Sequence, residues 1–443
     1  MSQLFKMYFR NCLFAATFLA IAATFGCTQP AGNSVQINTS TPVPVPSASL
    51  SPSPEPEKAS SDMQFTLPLL DALLSDEEFV TAARRSISLT DEEVQRLKDV
   101  SQKSVTDLSE DDTEEGRSAR AATEQAITKV RAILGNDRTG KLVALAQQRS
   151  AEGESPLAAR PNSVPSDTRV VVNAPAFRMD VFKEGKLLKS YKIGIGYPEF
   201  PLPAGMRKAT QIIFNPTWTP PDEPWVKGKV KAGEKVKAGD KLNPLGPIKI
   251  PIGLPSLIHG GKSAGRLGTF ASHGCVGLTN AQVQNFAMTL SSLSGDALTM
   301  VDIKGYEKTK TETKEVKLGQ PVAIDLRYET LVVEDGTLKI YRDVYEKGTN
   351  TEENLRALLA TYGLQFDSLQ PQVKESILAG LRQMATDASG QAADPASSNK
   401  NSSSRTNSNS GSVTRNIKGK KEIDIKLPEL AGKGYPAPVG MKM

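Results

Sequence analysis

Two stretches of this chain cannot help to build a hydrophobic core, and they divide it. Residues 34–58 are rich in Pro, Ser and Thr, and residues 389–415 in Ser, Asn and Gly. Such compositions bury too little apolar surface to offset the entropy of an ordered chain, so the first reads as a tether and the second as disordered. The 443 residues also exceed one ordinary domain, so separate folded units are expected between these connectors. A net charge of +5 is small for this length. It suits a mildly anionic, carboxylate-bearing partner and leaves no concentrated basic face for nucleic acid.

The N-terminal residues speak to compartment. Lys6 and Arg10 precede an apolar run over residues 12–26, too short for a comfortable membrane span and the right length for a signal-peptide core. Residues 1–26 are therefore expected to be a signal peptide. The run ends in Thr24-Phe25-Gly26-Cys27, which resembles a bacterial lipobox. That resemblance implies a lipid on Cys27, residues 27–64 as a tether, and a chain anchored to a membrane of the cell envelope and facing the periplasm. Thr28 after the cysteine, rather than Asp, favours the outer membrane. Of three cysteines, Cys12 lies in the removed segment and Cys27 would carry lipid, which leaves Cys275. A single remaining thiol in an exported chain has no intramolecular disulfide partner, so a reactive role comes to the fore.

Residues 65–150 read as a small helical module. Leu69, Leu70, Leu73 and Leu74 recur at helical spacing, residues 75–78 carry a start signal, and Thr90 with Glu93 fits a capping box. From Arg169 short β-favouring runs follow, at 170–172, 177–182, 191–196, 211–214 and 248–252, separated by turn signals. Residues 281–293 read as a helix packed on the sheet and 298–303 as a further strand. A mainly β domain over residues 169–305 is expected, followed by a hairpin and helices over 306–388 and a disordered tail over 389–443. Between Trp225 and Leu242 a lysine-rich insertion repeats itself, Lys229 to Glu234 being echoed by Lys235 to Asp240. It reads as a hairpin, either a flap over a cleft or a solvated surface feature.

The chain holds only two histidines, and both lie shortly before Cys275: His259, followed by Gly260 and Gly261, and His273 within Ser272-His273-Gly274-Cys275. An imidazole can activate a thiol by accepting its proton or as the cationic half of an ion pair. Gly274 allows a tight turn whose N–H groups can face a developing oxyanion. Zinc would want three or four ligands, and no further Cys or His is at hand. Neither a metal nor a cofactor is called for. The residues alone do not choose between the two histidines.

The pattern His259-Gly260, a glycine-rich interval, then Ser272-His273-Gly274-Cys275-Val276 resembles the signature of the L,D-transpeptidases, the YkuD-like catalytic domain. Residues 200–205, 213–218 and 243–247 look like that family's sheet and its approach to the site. The resemblance covers roughly residues 169–303. It implies a β-sandwich or barrel with a packed helix, and a cysteine set in a cleft. It also implies a peptidoglycan tetrapeptide stem as donor, attacked by Cys275 at the carbonyl of the third residue's L-centre, with terminal D-alanine expelled. The thioester then passes to an amine acceptor, giving 3→3 cross-links. His259 becomes the general base, oriented by the Gly260 carbonyl. His273 and the Gly274 and Cys275 amides shape the oxyanion site, while Ser272 holds the loop. One position departs: where the family has arginine two residues after the cysteine, this chain has Gly277, and Arg266 in the same loop is a candidate substitute for substrate binding. Hydrolysis as an L,D-carboxypeptidase, attachment of a protein to the wall, or a wall-binding lipoprotein without turnover are the alternatives.

Overall fold

In the computed structural model, residues 64–105, 115–117, 119–151, 162–219, 235–253, 256–387, 390, 412–414 and 417–441 are described. The expected signal peptide, Cys27, nearly all of the tether and most of the lysine-rich insertion lie outside them.

The N-terminal module comprises α1 (Leu67–Leu74), α2 (Glu77–Ile87), α3 (Asp91–Val105), the short strand β1 (Glu115–Arg117), α4 (Ala119–Leu134) and α5 (Asn136–Ala151). Its starts follow from side-chain caps. The Asp76 carboxylate accepts from the Glu78 N–H (3.1 Å), and Thr90 and Glu93 close a reciprocal box (3.1 and 3.2 Å). Leu70, Leu73, Leu74, Phe79 and Leu97 are buried in a core of the module's own. Two arginines tie the helices together, Arg138 forking onto Glu93 (2.8 and 2.7 Å) and Arg149 reaching Asp76 (2.8 Å).

The central region begins with β2 (Arg169–Asn173), β3 (Arg178–Lys183), β4 (Lys186–Lys192), β5 (Ile195–Gly196), β6 (Gly205–Phe214), β7 (Ile248–Pro251), β8 (Leu257–His259), β9 (Phe270–Ser272) and β10 (Val276–Gly277). It continues through α6 (Asn280–Leu293), α7 (Met300–Lys308) and β11 (Lys314–Arg327). Eight strands form one mixed sheet in the order β10-β8-β7-β6-β11-β2-β3-β4. Its two edges meet: Gly194, just beyond β4, exchanges both backbone hydrogen bonds with Gly277 of β10 (2.9 and 2.8 Å). The sheet therefore curls on itself, which leaves no long open edge and makes the region mainly β, as expected. Helix α6 packs on it through Val283, Phe286, Ala287 and Leu290, an i, i+3, i+4, i+7 stripe that is fully buried. Thr279 caps that helix in a complete box with Gln282, so only two residues separate it from β10.

Three expectations are corrected here. Residues 298–303 do not form a strand: Thr299 and Asp302 form a capping box, and α7 begins at Met300. The β domain does not end at 305, because β11 lies mid-sheet, antiparallel to β6 and parallel to β2. Nor is residues 389–443 a tail of one kind. Strand β12 (Leu331–Glu334), strand β13 (Thr337–Tyr341), α8 (Glu352–Thr361) and α9 (Pro371–Met384) form a C-terminal unit, and a short β14 (Ser412–Thr414) pairs with β1. The unit's third strand, β15 (Glu422–Lys426), comes from the supposed tail and pairs with β13. Ile423 and Ile425 alternate with charged residues along β15 and pack on that unit's core, which is the physical reason the segment is ordered.

Candidate active site

Strands β8 and β10 run parallel, with Val276 opposite Ile258 and Gly277 opposite His259. Cys275 immediately precedes β10. Side chains alternate across a strand, so positions 257 and 259 share a face with positions 275 and 277 of the neighbouring chain segment. This register brings the Cys275 thiol and the imidazole of His259, sixteen residues apart in sequence, to one cavity of about 350 Å³. Ser272, His273 and Gly274 line it too. Among the candidates, Arg266 stands apart. Its guanidinium donates to the Tyr197 hydroxyl (2.6 Å), and it is not part of the cavity wall.

His259 is only 3% exposed. Its Nδ1 lies 2.7 Å from the Gly260 carbonyl oxygen. A carbonyl cannot donate, so Nδ1 carries the proton and Nε2 is left as the acceptor. Burial pushes the imidazole pKa down to about 3; the Lys262 charge adds to this, and the Gly260 and Leu245 carbonyls oppose it. Cys275 is partly buried, and burial pushes its thiol up, with the Leu257 backbone and Lys262 pulling it back. Both shifts favour the uncharged forms, a neutral thiol and a neutral imidazole.

Gly274 has φ +86°, a left-handed value that favours glycine, and its carbonyl accepts from the Ser256 hydroxyl (2.8 Å). Ser272 closes the loop twice over: its hydroxyl donates to the Cys275 carbonyl (2.6 Å) and accepts from the Cys275 N–H (3.1 Å). The Cys275 amide, expected to face an oxyanion, is instead engaged by Ser272, because the turn folds it back onto that hydroxyl. The His273 ring is set edge-on against Phe200 (4.5 Å) and Tyr197 (5.2 Å), a packed wall.

Other parts of the wall were not singled out in the sequence. Helix α1 supplies Pro68, Leu69, Asp71, Ala72 and Ser75, so the N-terminal module forms one side of the cavity. Trp218 and Leu245 add apolar surface at the base of the lysine-rich insertion, where Trp218 pairs with Val236 (3.0 and 2.7 Å). Lys262 and Lys347 add charge. A leucine-rich helix announces burial but not what it will be packed against, and only Lys262, three residues after His259, carried a positional hint.

A buried imidazole and a thiol thus share one face of a parallel strand pair and one cavity. Residues 167–324 match the family model described as the L,D-transpeptidase catalytic domain, YkuD. Among solved structures, the chain is similar to the catalytic domain of the E. faecium L,D-transpeptidase (16% identity over 37% of this chain and 100% of that one, TM-score 0.24). It is similar also to an L,D-transpeptidase from Mycobacterium smegmatis (17% identity, 36% and 58%, TM-score 0.23). A third is an L,D-transpeptidase from Mycobacterium tuberculosis (14% identity, 36% and 57%, TM-score 0.22). The chain thus spans under three-fifths of the two mycobacterial proteins. No curated protein matches it.

Proposed function

We propose that this chain is a cysteine-dependent L,D-transpeptidase that acts on peptidoglycan stem peptides. The single observation that carries the proposal is the meeting of Cys275 and a tautomer-fixed His259 in one cavity, within a region that matches the L,D-transpeptidase catalytic domain. The Cys275 sulfur attacks the carbonyl carbon of the third stem residue, and the thiol proton passes to His259 Nε2. The Gly274 amide and the His273 side of the cavity receive the oxyanion. The bond to the terminal D-alanine breaks, and His259 returns the proton to the leaving amine, which leaves a thioester on Cys275. An amine of a second stem then displaces the sulfur, giving a 3→3 amide cross-link and the free thiol.

Incubation with purified tetrapeptide muropeptides, read by mass spectrometry, tests this. Cross-linked dimers with release of D-alanine are the expected products. Tripeptide without dimers would point to carboxypeptidase action, and intact substrate would overturn the proposal.

We also propose that the protein is held in the cell envelope by a lipid on Cys27, facing the periplasm. Cys27→Ala is expected to move it from the membrane fraction to the soluble fraction and to stop palmitate incorporation. Unchanged membrane association with no lipid in the wild type would refute this.

A further inference from the structure

Gly277 stands in an ordinary strand, and what it provides is space. A Cβ added there would lie 2.8 Å from Cγ, 3.2 Å from Cε and 3.5 Å from Cδ of Lys262. The lysine stem is therefore laid across the bare Cα of residue 277, on the face that Cys275 and His259 share. Its backbone is fixed at this place: the Lys262 N–H donates to the Leu278 carbonyl (3.1 Å), and the adjacent Gly261 N–H donates to Asn280 Oδ1 (2.7 Å). A side chain at 277 would evict this stem, so the glycine and the lysine form one device.

We propose that Lys262, seated on Gly277, is the cation of this active site and receives the carboxylate of the donor peptide's departing D-residue beside the Cys275 sulfur. The inference rests on the transpeptidase reading. Two other cations lie near the site. Arg266 is turned to Tyr197, and the Lys347 ammonium, also on the cavity wall, lies over the Tyr328 ring (4.7 Å). Lys262 acts electrostatically on both reacting groups, favouring the Cys275 thiolate and the neutral form of His259. The first effect helps the sulfur to attack, whereas the second opposes proton transfer to His259, a cost that a carboxylate seated on Lys262 would offset. A lysine head on a flexible stem offers a point charge rather than a planar fork, which suits a terminal carboxylate that must depart with its leaving group.

Two paired comparisons test this. Donor tetrapeptides that end in a carboxylate or in a carboxamide are compared for D-residue release. The wild type is expected to prefer the carboxylate by about tenfold to a hundredfold, the scale of one hydrogen bond to a charged group. Lys262→Met should lose most of that preference, its larger fall being on the carboxylate donor, and Lys262→Arg should keep part of the preference. Lys262→Ala/Gly277→Arg should recover it, because the atoms that a Cβ at 277 would strike are gone. A Lys262→Met variant that keeps the wild-type preference, or falls equally on both donors, would overturn the assignment. The second comparison does not need turnover: Cys275 alkylation by anionic iodoacetate and by neutral iodoacetamide, mapped by peptide mass. Lys262→Met should slow the anionic reagent more than the neutral one, and an unchanged ratio counts against Lys262. A wild type inert to both donors but with this ratio dependent on Lys262 would place the failure in the transpeptidase reading and not in the cation.

Discussion

Cys275→Ala is expected to release no D-alanine from a tetrapeptide donor, and His259→Ala to release it about 10²–10⁴-fold more slowly than the wild type. Chromatographic assay of free D-alanine checks both, and wild-type turnover by either variant refutes the role assigned to that residue. The two losses differ in kind. Without the sulfur there is no acyl intermediate, whereas without the imidazole the thiol remains but has lost its proton acceptor. Because burial pushes the thiol pKa up and the imidazole pKa down to about 3, no standing thiolate survives to mask the loss of the base.

The same pair fixes a pH dependence. In kcat/KM, which reports free-enzyme groups, no acid limb is expected at the ordinary imidazole value of about 6.5. His259 stays neutral far below that, so the profile should be flat between about pH 5 and pH 8. An inflection near 6.5 in the wild type that vanishes in His259→Gln would show an imidazole titrating as if in water. The stability consequence has a definite sign. A folded-state pKa depressed below the unfolded one contributes stability above about pH 6.5, which is lost as pH falls toward 3.

What the sequence revealed was mostly what is local or strongly periodic. The Thr90–Glu93 box, the α6 stripe and the turn at Gly274 each depend on residues a few positions apart. The two histidines and Cys275 were conspicuous by scarcity, but their order of importance was not. That order depends on the register of β8 against β10, which fixes His259 beside the thiol face, and on Phe200 and Tyr197, which pack against His273. Misreadings came from competing local signals and from long-range pairing. Residues 298–303 alternate well enough to pass for a strand, yet the Thr299–Asp302 cap decides for a helix. Strand β15 has a clean alternation over residues 422–426 but follows a low-complexity stretch that hid it. The place of β11 between β6 and β2 joins residues more than a hundred positions apart. That α1 walls the cavity is a fact of packing, invisible in its four leucines.

Glu334→Ala is expected to destabilise the protein by about 1–3 kcal/mol, the scale for a buried donor left without its acceptor. Arg178 on β3 donates to Glu334 at the end of β12 and, through Nε, to Asp180 (2.8 Å), with its guanidinium 5.3 Å from the centre of the Tyr435 ring. The three charged side chains are 8%, 5% and 6% exposed for Arg178, Asp180 and Glu334. Burial lifts both carboxyls above their usual range, with the Arg178 charge pulling against it. Removing Glu334 leaves one cation and one anion of the cluster out of water with a partner missing, and it also cuts a link between the curled sheet and the C-terminal unit. Arg178→Met/Asp180→Leu/Glu334→Leu should cost less than the single change, because no Arg178 donor is then left buried without its acceptor. Urea unfolding of the full chain reads both. A Glu334→Ala midpoint within experimental error of the wild type, or a triple variant weaker than the single one, would mean that this cluster does not join the two units. In that case the order of β15 and of residues 428–441 would rest on the apolar core of the C-terminal unit alone.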